Sequence, residues 1–594
     1  MRAFRYGVAA SALACVCLSA QIARADEPKA VVQGVTDLRL RSAIVAAIGL
    51  TDHAPGSRFE ARRRARAAAE QAILVLRSEG YYQNEVEADV GEGDTPQAVV
   101  RVTLGPRFVF AEPAVTWAGE PPVAAARIAG ESSVGLTIGA PGRAADVLAA
   151  EGRVLAAVQK RGYADAAPEP REVIVDHAAL NVSPSFRIDA RARVLMDGVD
   201  LRTDGRTQPG WVRYLAPWRE GSIYDPERVG ELERRLLDTG VYDSVTVSLA
   251  PASNPQGLRP VLVSLADRPK ATIELGASYS TAEGPGLDGR YTRYNRLGRA
   301  DTWRVQGQYA LIQKRLEAEL SLPHWRRPAQ TLRLGASIYQ DDTDAYEETG
   351  ALVRADLVRR LRRVDYQTIG LTLGISRDEE RIETGGVLRT RQRRLFTAAG
   401  LAAFSVDRSN DPLNPERGWR FEARAEPIAH AGDTGLVYLR AMAQGSVYLS
   451  FDQDSNTVAA AQLKVGAIAG GRIPDVPGSR RYYAGGGGSV RGFSYQGVGP
   501  RFADNTPQGG LSLIEGSLEG RQKVFDKWTA VAFIDAGVLG ERAALDFTDP
   551  AVGVGVGVRY DLGFAPIRAD IAVPVNKRTG DAAFQVYLSI GQSF

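Results

Sequence analysis

At 594 residues the chain is too long for one hydrophobic core, so several domains are expected. Its 73 Lys and Arg against 70 Asp and Glu leave a net charge of +3, and nothing in that balance points to nucleic acid. Both cysteines, Cys15 and Cys17, fall near the N-terminus; past them a disulfide framework, a zinc–cysteine site and a cysteine nucleophile are excluded.

The chain opens MRAFRYGVAASALACVCLSAQIARADEPKA. Arg2 and Arg5 form a basic start, Val8 to Ala20 an apolar run, and Ala23-Arg24-Ala25 a small-residue cleavage site. Residues 1–25 therefore read as a secretory signal peptide with the mature chain beginning near Asp26; a lipoprotein reading at Cys15 is the lesser alternative, because the apolar run continues past it. No later stretch approaches the ~20 apolar residues of a spanning helix. The exported chain is either soluble or held in a membrane by strands.

Residues 26–269 repeat a pattern. Helix-like AEQAILVLRSEGYY, AAEGRVLAAVQKRGYA and VGELERRLLDTGVYD close at Gly80, Gly162 and Gly240, spaced 82 and 78 residues apart. Glycine takes the left-handed closing position at least cost, and an aromatic follows each: Tyr81, Tyr163 and Tyr242. Two strand-like runs then complete each unit, as in EVEADV and AVVRVTLG. The predicted domains are 26–107, 108–188 and 189–269. Arg62, Arg63, Arg64 and Arg66 sit on one such helix; the run reads as a solvated face, with contact to an acidic partner or lipid headgroups as the alternative.

From about 270 the period becomes two. In RLEAELSLP, Leu316, Ala318, Leu320 and Leu322 alternate with Arg315, Glu317, Glu319 and Ser321. In KWTAVAFIDAGVL, Trp528, Ala530, Ala532, Ile534 and Ala536 alternate with Thr529, Val531, Phe533, Asp535 and Gly537. Such strands suit a soluble sandwich or a barrel whose apolar face meets lipid; export and the lack of cysteine favour the barrel. Residues 270–594, at ~20 residues per strand and link, allow about 16 strands. Gly553, Gly555 and Gly557 alternate with valines, a strand with little bulk on one face. Gly284 to Gly289 matches G-x-G-x-x-G between two strand patterns, so it reads as a hairpin turn and not a dinucleotide site.

Two features remain. The run YYAGGGGSVRGF at 482–493 presents Arg491 on a glycine tether, and the chain ends AAFQVYLSIGQSF, an alternating strand closing on Phe594.

Together these features resemble the BamA/TamA outer-membrane assembly and translocation superfamily, over the whole mature chain. Val490-Arg491-Gly492-Phe493 matches the family's V-R-G-F/Y loop signature, and Tyr482 to Gly486 its lead-in. Phe533 to Gly537 matches F-x-D-x-G on a late strand, with Glu519 where the family carries an inward Glu. Asp407 to Gly418 resembles a further D…P…P…G stretch. The fold implied is three periplasmic α+β POTRA domains followed by a C-terminal 16-stranded transmembrane antiparallel β-barrel. The resemblance further implies that the loop folds into the lumen and that Arg491 meets Asp535 and Glu519 on the wall. Phe533 and Gly537 share that wall face, and Phe594 completes the C-terminal signal. Gly591 either weakens the seam between the first and last strands or makes room for a lumen side chain.

Three repeats match the TamA-like branch in architecture. The implied function is insertion or translocation of autotransporter-type and other β-barrel clients, templated at the seam. The implied partners are a TamB-like inner-membrane-anchored protein, unfolded outer-membrane clients and outer-membrane lipid. A two-partner-secretion-type pore for one exoprotein is the alternative. No enzyme motif, cofactor or metal site is read from the chain: His53, His177, His324 and His430 have no ligand spacing.

Overall fold

The computed structural model describes residues 27–594 apart from 93–94, 281–283, 363, 564–565, 591 and 593–594. The signal peptide, Gly591 and Phe594 therefore lie outside the described residues. The chain divides into two compact units, one made of residues up to 196 with 220–227 and 255–259, the other of the remainder.

The first unit holds two helix-pair-on-sheet layers. In the first layer, strand Ala98–Thr103 lies centrally, parallel to Val31–Gln33 and antiparallel to Glu85–Val90. Helices α1 (Leu38–Ile48) and α2 (Arg58–Ser78) cover it. Helix α2 starts where Ser57 accepts a hydrogen bond from the Glu60 N–H and the Glu60 carboxylate reaches back to the Gly56 N–H. Ala61, Ala65, Ala68, Ala72 and Leu76 form its buried stripe. The second layer repeats the plan, with Asn181–Asp189 between parallel Ala114–Ala118 and antiparallel Glu172–Asp176, under α3 (Ala124–Ser132) and α4 (Ala144–Gln159). Gly80 and Gly162 follow α2 and α4 with φ of 93° and 104°, so the helix-closing role of these glycines is a matter of backbone geometry.

Most of a third such layer belongs to the second unit. Strands Leu195–Thr203, Leu258–Asp267 and Tyr242–Leu249 pair in that order, with α5 (Pro209–Leu215) and α6 (Pro226–Leu237).

The rest of the second unit is one 16-stranded antiparallel sheet whose strands follow chain order. They are β1 (Ala271–Ser280), β2 (Gly284–Tyr294), β3 (Thr302–Ala310), β4 (Gln313–Leu322), β5 (Gln330–Asp342), β6 (Tyr346–Arg362), β7 (Asp365–Thr384) and β8 (Val387–Asp407). The second half comprises β9 (Gly418–Gly432), β10 (Leu436–Ser450), β11 (Thr457–Ala469), β12 (Ser512–Phe525), β13 (Trp528–Gly540), β14 (Ala551–Asp561), β15 (Pro566–Pro574) and β16 (Gln585–Ile590). The sheet curls until β1 and β16 come alongside, yet among the described residues no hydrogen-bond ladder joins them.

Alternation holds round the wall. Leu316, Leu334, Ile338, Ile534, Val556 and Leu588 are exposed on the outside, while Ser337, Asp535 and Tyr587 are buried within. The G-x-G-x-x-G run departs from expectation. Only Gly284, with φ of 73°, is at the hairpin, and the remaining residues pair along β1 in a continuous ladder. That pairing satisfies backbone groups a longer turn would leave bare. Strands β6, β7 and β8 have 17, 20 and 21 residues, well beyond the ~10 needed to cross a bilayer, so their hairpins project at the far end.

At the near end, where the chain enters and leaves the barrel, the third layer docks on the strand-connecting turns. Asn295 donates to Thr207 Oγ1 at 2.9 Å and Gln208 Nε2 to the Leu297 carbonyl at 2.8 Å. His324 bonds the Arg235 carbonyl at 3.0 Å, and Arg360 pairs with Asp238.

Candidate functional site

Between β11 and β12 the chain runs through a long far-end loop, 470–511, that folds inward. Its tip residues Val490, Arg491, Gly492 and Phe493 are all buried. The wall receiving them comes from β12 to β16, and the pleat decides which side chains face in. On β12, Ser517, Glu519 and Arg521 point to the lumen while Leu518 points out. On β13 the inward set is Val531, Phe533, Asp535 and Gly537; on β15 it is Arg568 and Asp570.

Arg491 spreads its donors over this wall. Nε gives a 2.6 Å hydrogen bond to Asp535 Oδ2 and Nη2 a 2.9 Å bond to Oδ1, a bidentate clasp, and the backbone N–H adds a third bond at 3.0 Å. Nη1 donates to Glu519 Oε2 at 2.9 Å and to Asp570 Oδ2 at 3.3 Å. The guanidinium carbon lies over the Phe533 ring, 3.3 Å from its centroid. Ser517 Oγ donates to Asp535 Oδ1 at 2.6 Å and fixes the carboxylate.

Three further arginines share the cluster. Arg521 Nε donates to Glu519 at 2.8 Å, Arg568 Nε to Asp570 at 2.6 Å, and Arg559 pairs with Asp570. Four guanidiniums thus share three buried carboxylates, Glu519, Asp535 and Asp570. Buried ions need partners, and in this lattice each carboxylate has several donors.

The loop backbone is seated as firmly. Arg568 Nη2 donates to the Gly487 carbonyl at 2.7 Å. The Tyr587 hydroxyl accepts from the Gly492 N–H at 3.0 Å and donates to the Phe493 carbonyl at 2.9 Å, so the last strand β16 holds the tip directly. The small face of β14 has its explanation here: a Cβ at Gly553 would overlap the Arg491 carbonyl. One at Gly537 would stand 2.5 Å from Val490 Cγ2. Gly492, at φ 99°, takes a conformation other residues avoid.

The structure brings together Val490, Arg491, Gly492, Phe493, Phe533, Asp535, Gly537 and Glu519. Sequence reading missed Asp570, Arg559, Arg568, Arg521 and Tyr587. The signal was there: Asp570 lies between outward Ile567 and Ile571, and Tyr587 between outward Val586 and Leu588. The Asp407–Gly418 stretch forms the near-end turn between β8 and β9. It crosses to Arg521, which donates to the Pro415 carbonyl at 3.1 Å, and to Gln592, which donates to Asn414 Oδ1 at 2.9 Å. Among the described residues no group of His, Asp and Glu is arranged to hold a metal ion.

Comparison with known proteins agrees with this architecture. The chain is 23% identical over 454 residues to the outer membrane protein assembly factor BamA of Neorickettsia risticii (strain Illinois), an alignment covering 70% of this chain and 59% of that relative. The chain thus spans less than two thirds of that relative's length. Among solved structures, BamA from Haemophilus ducreyi lacking POTRA domains 1–3 matches with a TM-score of 0.67 at 17% identity, over 82% of this chain and 100% of that one. CdiB from Acinetobacter baumannii matches with a TM-score of 0.46 at 12% identity, over 82% and 90%. The Omp85 superfamily domain matches residues 295–594, and the chain belongs to the Omp85 superfamily of outer-membrane β-barrel proteins.

Proposed function

We propose that this protein inserts or translocates autotransporter-type and other β-barrel proteins at the outer membrane, templating client strands at the seam between β1 and β16. In this reading the three layers, 26–107, 108–188 and 189–269, are POTRA domains that receive clients in the periplasm. A TamB-like inner-membrane-anchored protein delivers them, and Arg491 keeps the loop tip on the seam-side wall while the seam works.

The observation that carries the proposal is the thin seam, where β16, at six described residues the shortest strand of the sheet, meets β1. Every other neighbouring pair of strands is laddered, while β1 and β16 lie alongside without a ladder among the described residues. In lipid, unpaired backbone N–H and C=O groups cost several kcal/mol each, by roughly the penalty for burying a polar group without a partner. An incoming strand that takes up an edge bared when a thin seam parts relieves that penalty, which supplies the driving force for β-augmentation in this reading. The loop supports the same reading against an export pore, because its tip occupies the lumen an exoprotein would thread.

The test is deletion in the native host followed by surface proteomics. Loss of several autotransporter-type proteins from the surface is expected. Loss of one dedicated exoprotein alone would replace this reading with two-partner secretion.

A further inference from the structure

The loop has a second set of arginines at its root, and the Arg491 site does not use them. Residues Gly478–Arg480 form a single 3₁₀ turn against the far-end parts of β6 and β7, followed by Arg481. Arg480 Nη2 donates to Glu348 Oε1 on β6 at 2.9 Å, and the Tyr339 hydroxyl on β5 donates to the same oxygen at 3.1 Å. Arg481 Nη2 donates to Glu380 Oε2 on β7 at 2.5 Å. Its other nitrogens tie the loop to itself, Nε on the Val476 carbonyl at 3.1 Å and Nη1 on the Gln508 carbonyl at 2.9 Å.

The wall answers with its own cations. Arg391 donates to Glu380 Oε1 at 2.8 Å and to the Pro474 carbonyl at 2.6 Å, and Arg393 pairs with Glu380 and donates to the Asp475 carbonyl at 3.2 Å. Glu348, Asp378, Glu380, Arg393 and Arg481 are each under 5% exposed. The Tyr346 and Tyr483 rings meet at 5.8 Å beside them.

Strand order places the two anchors apart. Glu348 and Glu380 stand on the sixth and seventh strands of the sheet, while Asp535, Asp570 and Tyr587 stand on the thirteenth, fifteenth and sixteenth. These walls face one another across a 16-stranded barrel, and a barrel of that size encloses a water channel unless something fills it. The loop bridges these two walls through the two sets of contacts.

We propose that Arg480 and Arg481 form a second, independent clamp, and that the loop is a brace across the lumen which shuts the pore to small ions. With the tip released the loop stays hinged at its root; with Arg480 and Arg481 released it keeps the tip, and at the root only hydrogen bonds such as those from Arg391 and Arg393 to the Pro474 and Asp475 carbonyls. To swing aside, the loop must strip Arg480 from Glu348 and Arg481 from Glu380, which takes from Glu348 its guanidinium partner at a poorly solvated site. The wall half survives such a release, because Glu380 keeps Arg391 and Arg393. Breaking the loop side therefore opens the pore without dismantling the barrel.

The test is ion conductance of the full mature chain in planar lipid bilayers, with heat-modifiable migration on gels as the check on folding. The double variant Arg480→Ala, Arg481→Ala is expected to show a several-fold rise in mean conductance. A disulfide supplies the reverse arm. A Cβ built at Gly478 lies 3.2 Å from Tyr346 Cβ, close to the ~3.8 Å of a disulfide, and the chain past residue 25 has no cysteine of its own. Adding Gly478→Cys and Tyr346→Cys to the double variant is expected to return conductance to the unaltered level on oxidation, and reductant to raise it again. Conductance of the double variant equal to that of the unaltered protein overturns the proposal. If the double variant does not fold, the cysteine pair alone decides: a formed disulfide that leaves spontaneous openings as frequent as before overturns it, and suppressed openings support it. None of these readouts depends on client assembly, so this proposal and the assembly reading fail separately.

Discussion

Arg491 and Asp535, 44 residues apart in sequence, are joined by three hydrogen bonds at once, two from the guanidinium and one from the backbone N–H. Glu519 and Asp570 each keep other arginines when Arg491 is removed, whereas Asp535 keeps only Ser517 among the contacts described above. Arg491→Ala therefore strands one carboxylate, and about 3–5 kcal/mol of stability is expected to go with it, as for breaking a buried pair. Arg491→Lys is expected to recover little, since a point-like ammonium lacks the planar fork. Denaturant unfolding in lipid vesicles gives the single values. A double-mutant cycle with Asp535→Ala should return a coupling of about 1–3 kcal/mol, and Glu519→Gln with Arg491→Ala a smaller one.

The loop seat depends on absent side chains as much as on present ones. Gly553→Ala puts a methyl group where the Arg491 carbonyl lies, and Gly537→Val drives into Val490. Valine is itself a good strand residue, so the strand tolerates the change and the loop does not. Each variant is expected to cost about 1–3 kcal/mol as overpacking and to expose the loop tip. Trypsin cleavage after Arg491, expected to be slow in the unaltered protein because the residue is buried, is the readout; unchanged protection would mean the tip does not sit on β13 and β14 in solution.

The barrel and the main anchor were legible because each rests on local pattern. Alternation fixes which of Phe533 and Ile534 faces the lumen, and the glycine-tethered Arg491 stands out against its neighbours. The rest of the cluster depends on register across strands distant in sequence. Nothing local says that Asp570 pairs opposite Gly557 and Tyr587, which is what brings it to Arg491. The root clamp was harder still. Arg480 and Arg481 look like ordinary loop cations, and Glu348 and Glu380 lie in hairpins so rich in charge that they read as solvated links. Only the projection of β6 to β8 and the inward fold of the loop bring them together.

Docking of the third layer on the barrel is expected to weaken in acid, through His324. Its ring sits in the turn after β4, buried against Trp211, with Nδ1 accepting from the Ala329 N–H at 3.0 Å and Nε2 3.0 Å from the Arg235 carbonyl. The neutral ring with its proton on Nε2 satisfies both; a second proton on Nδ1 would face an N–H. Burial holds its pKa below the usual histidine value, with the Arg235 and Arg360 charges adding to that and the Arg235 carbonyl opposing it. A histidine with a lowered folded pKa makes the undocked state bind the extra proton first. Its contribution is thus complete above about pH 7 and is lost as pH falls through about 6.5 toward the folded value. Hydrogen exchange at the turn 323–329 and at α6 should rise between pH 7.5 and 5.5, and His324→Gln should flatten that dependence. An equal rise in the variant would assign the effect to other groups.

The seam gives the last prediction. If clients are templated between β1 and β16, covalent closure of that edge must stop assembly while leaving the barrel folded. Outward residues suit the purpose because they avoid the lumen cluster: Ile273 and Leu275 on β1 and Val586 and Leu588 on β16 are all exposed on the lipid face. Pairs of cysteines drawn from these positions, joined by a short cleavable linker, hold the strands side by side. Surface display of an autotransporter-type client is expected to fall toward the level of the deletion strain and to recover once the linker is cleaved. A cross-link between β5 and β6, across a complete 13-pair ladder, is the control and should change nothing. The loop anchors sharpen the result. Tyr587 ties β16 to the loop tip, so a closed seam leaves the Arg491 cluster and the lumen undisturbed, and any lost assembly belongs to the edge alone. Full display with the seam completely cross-linked would instead route clients through the lumen, past two arginine clamps that would then have to release.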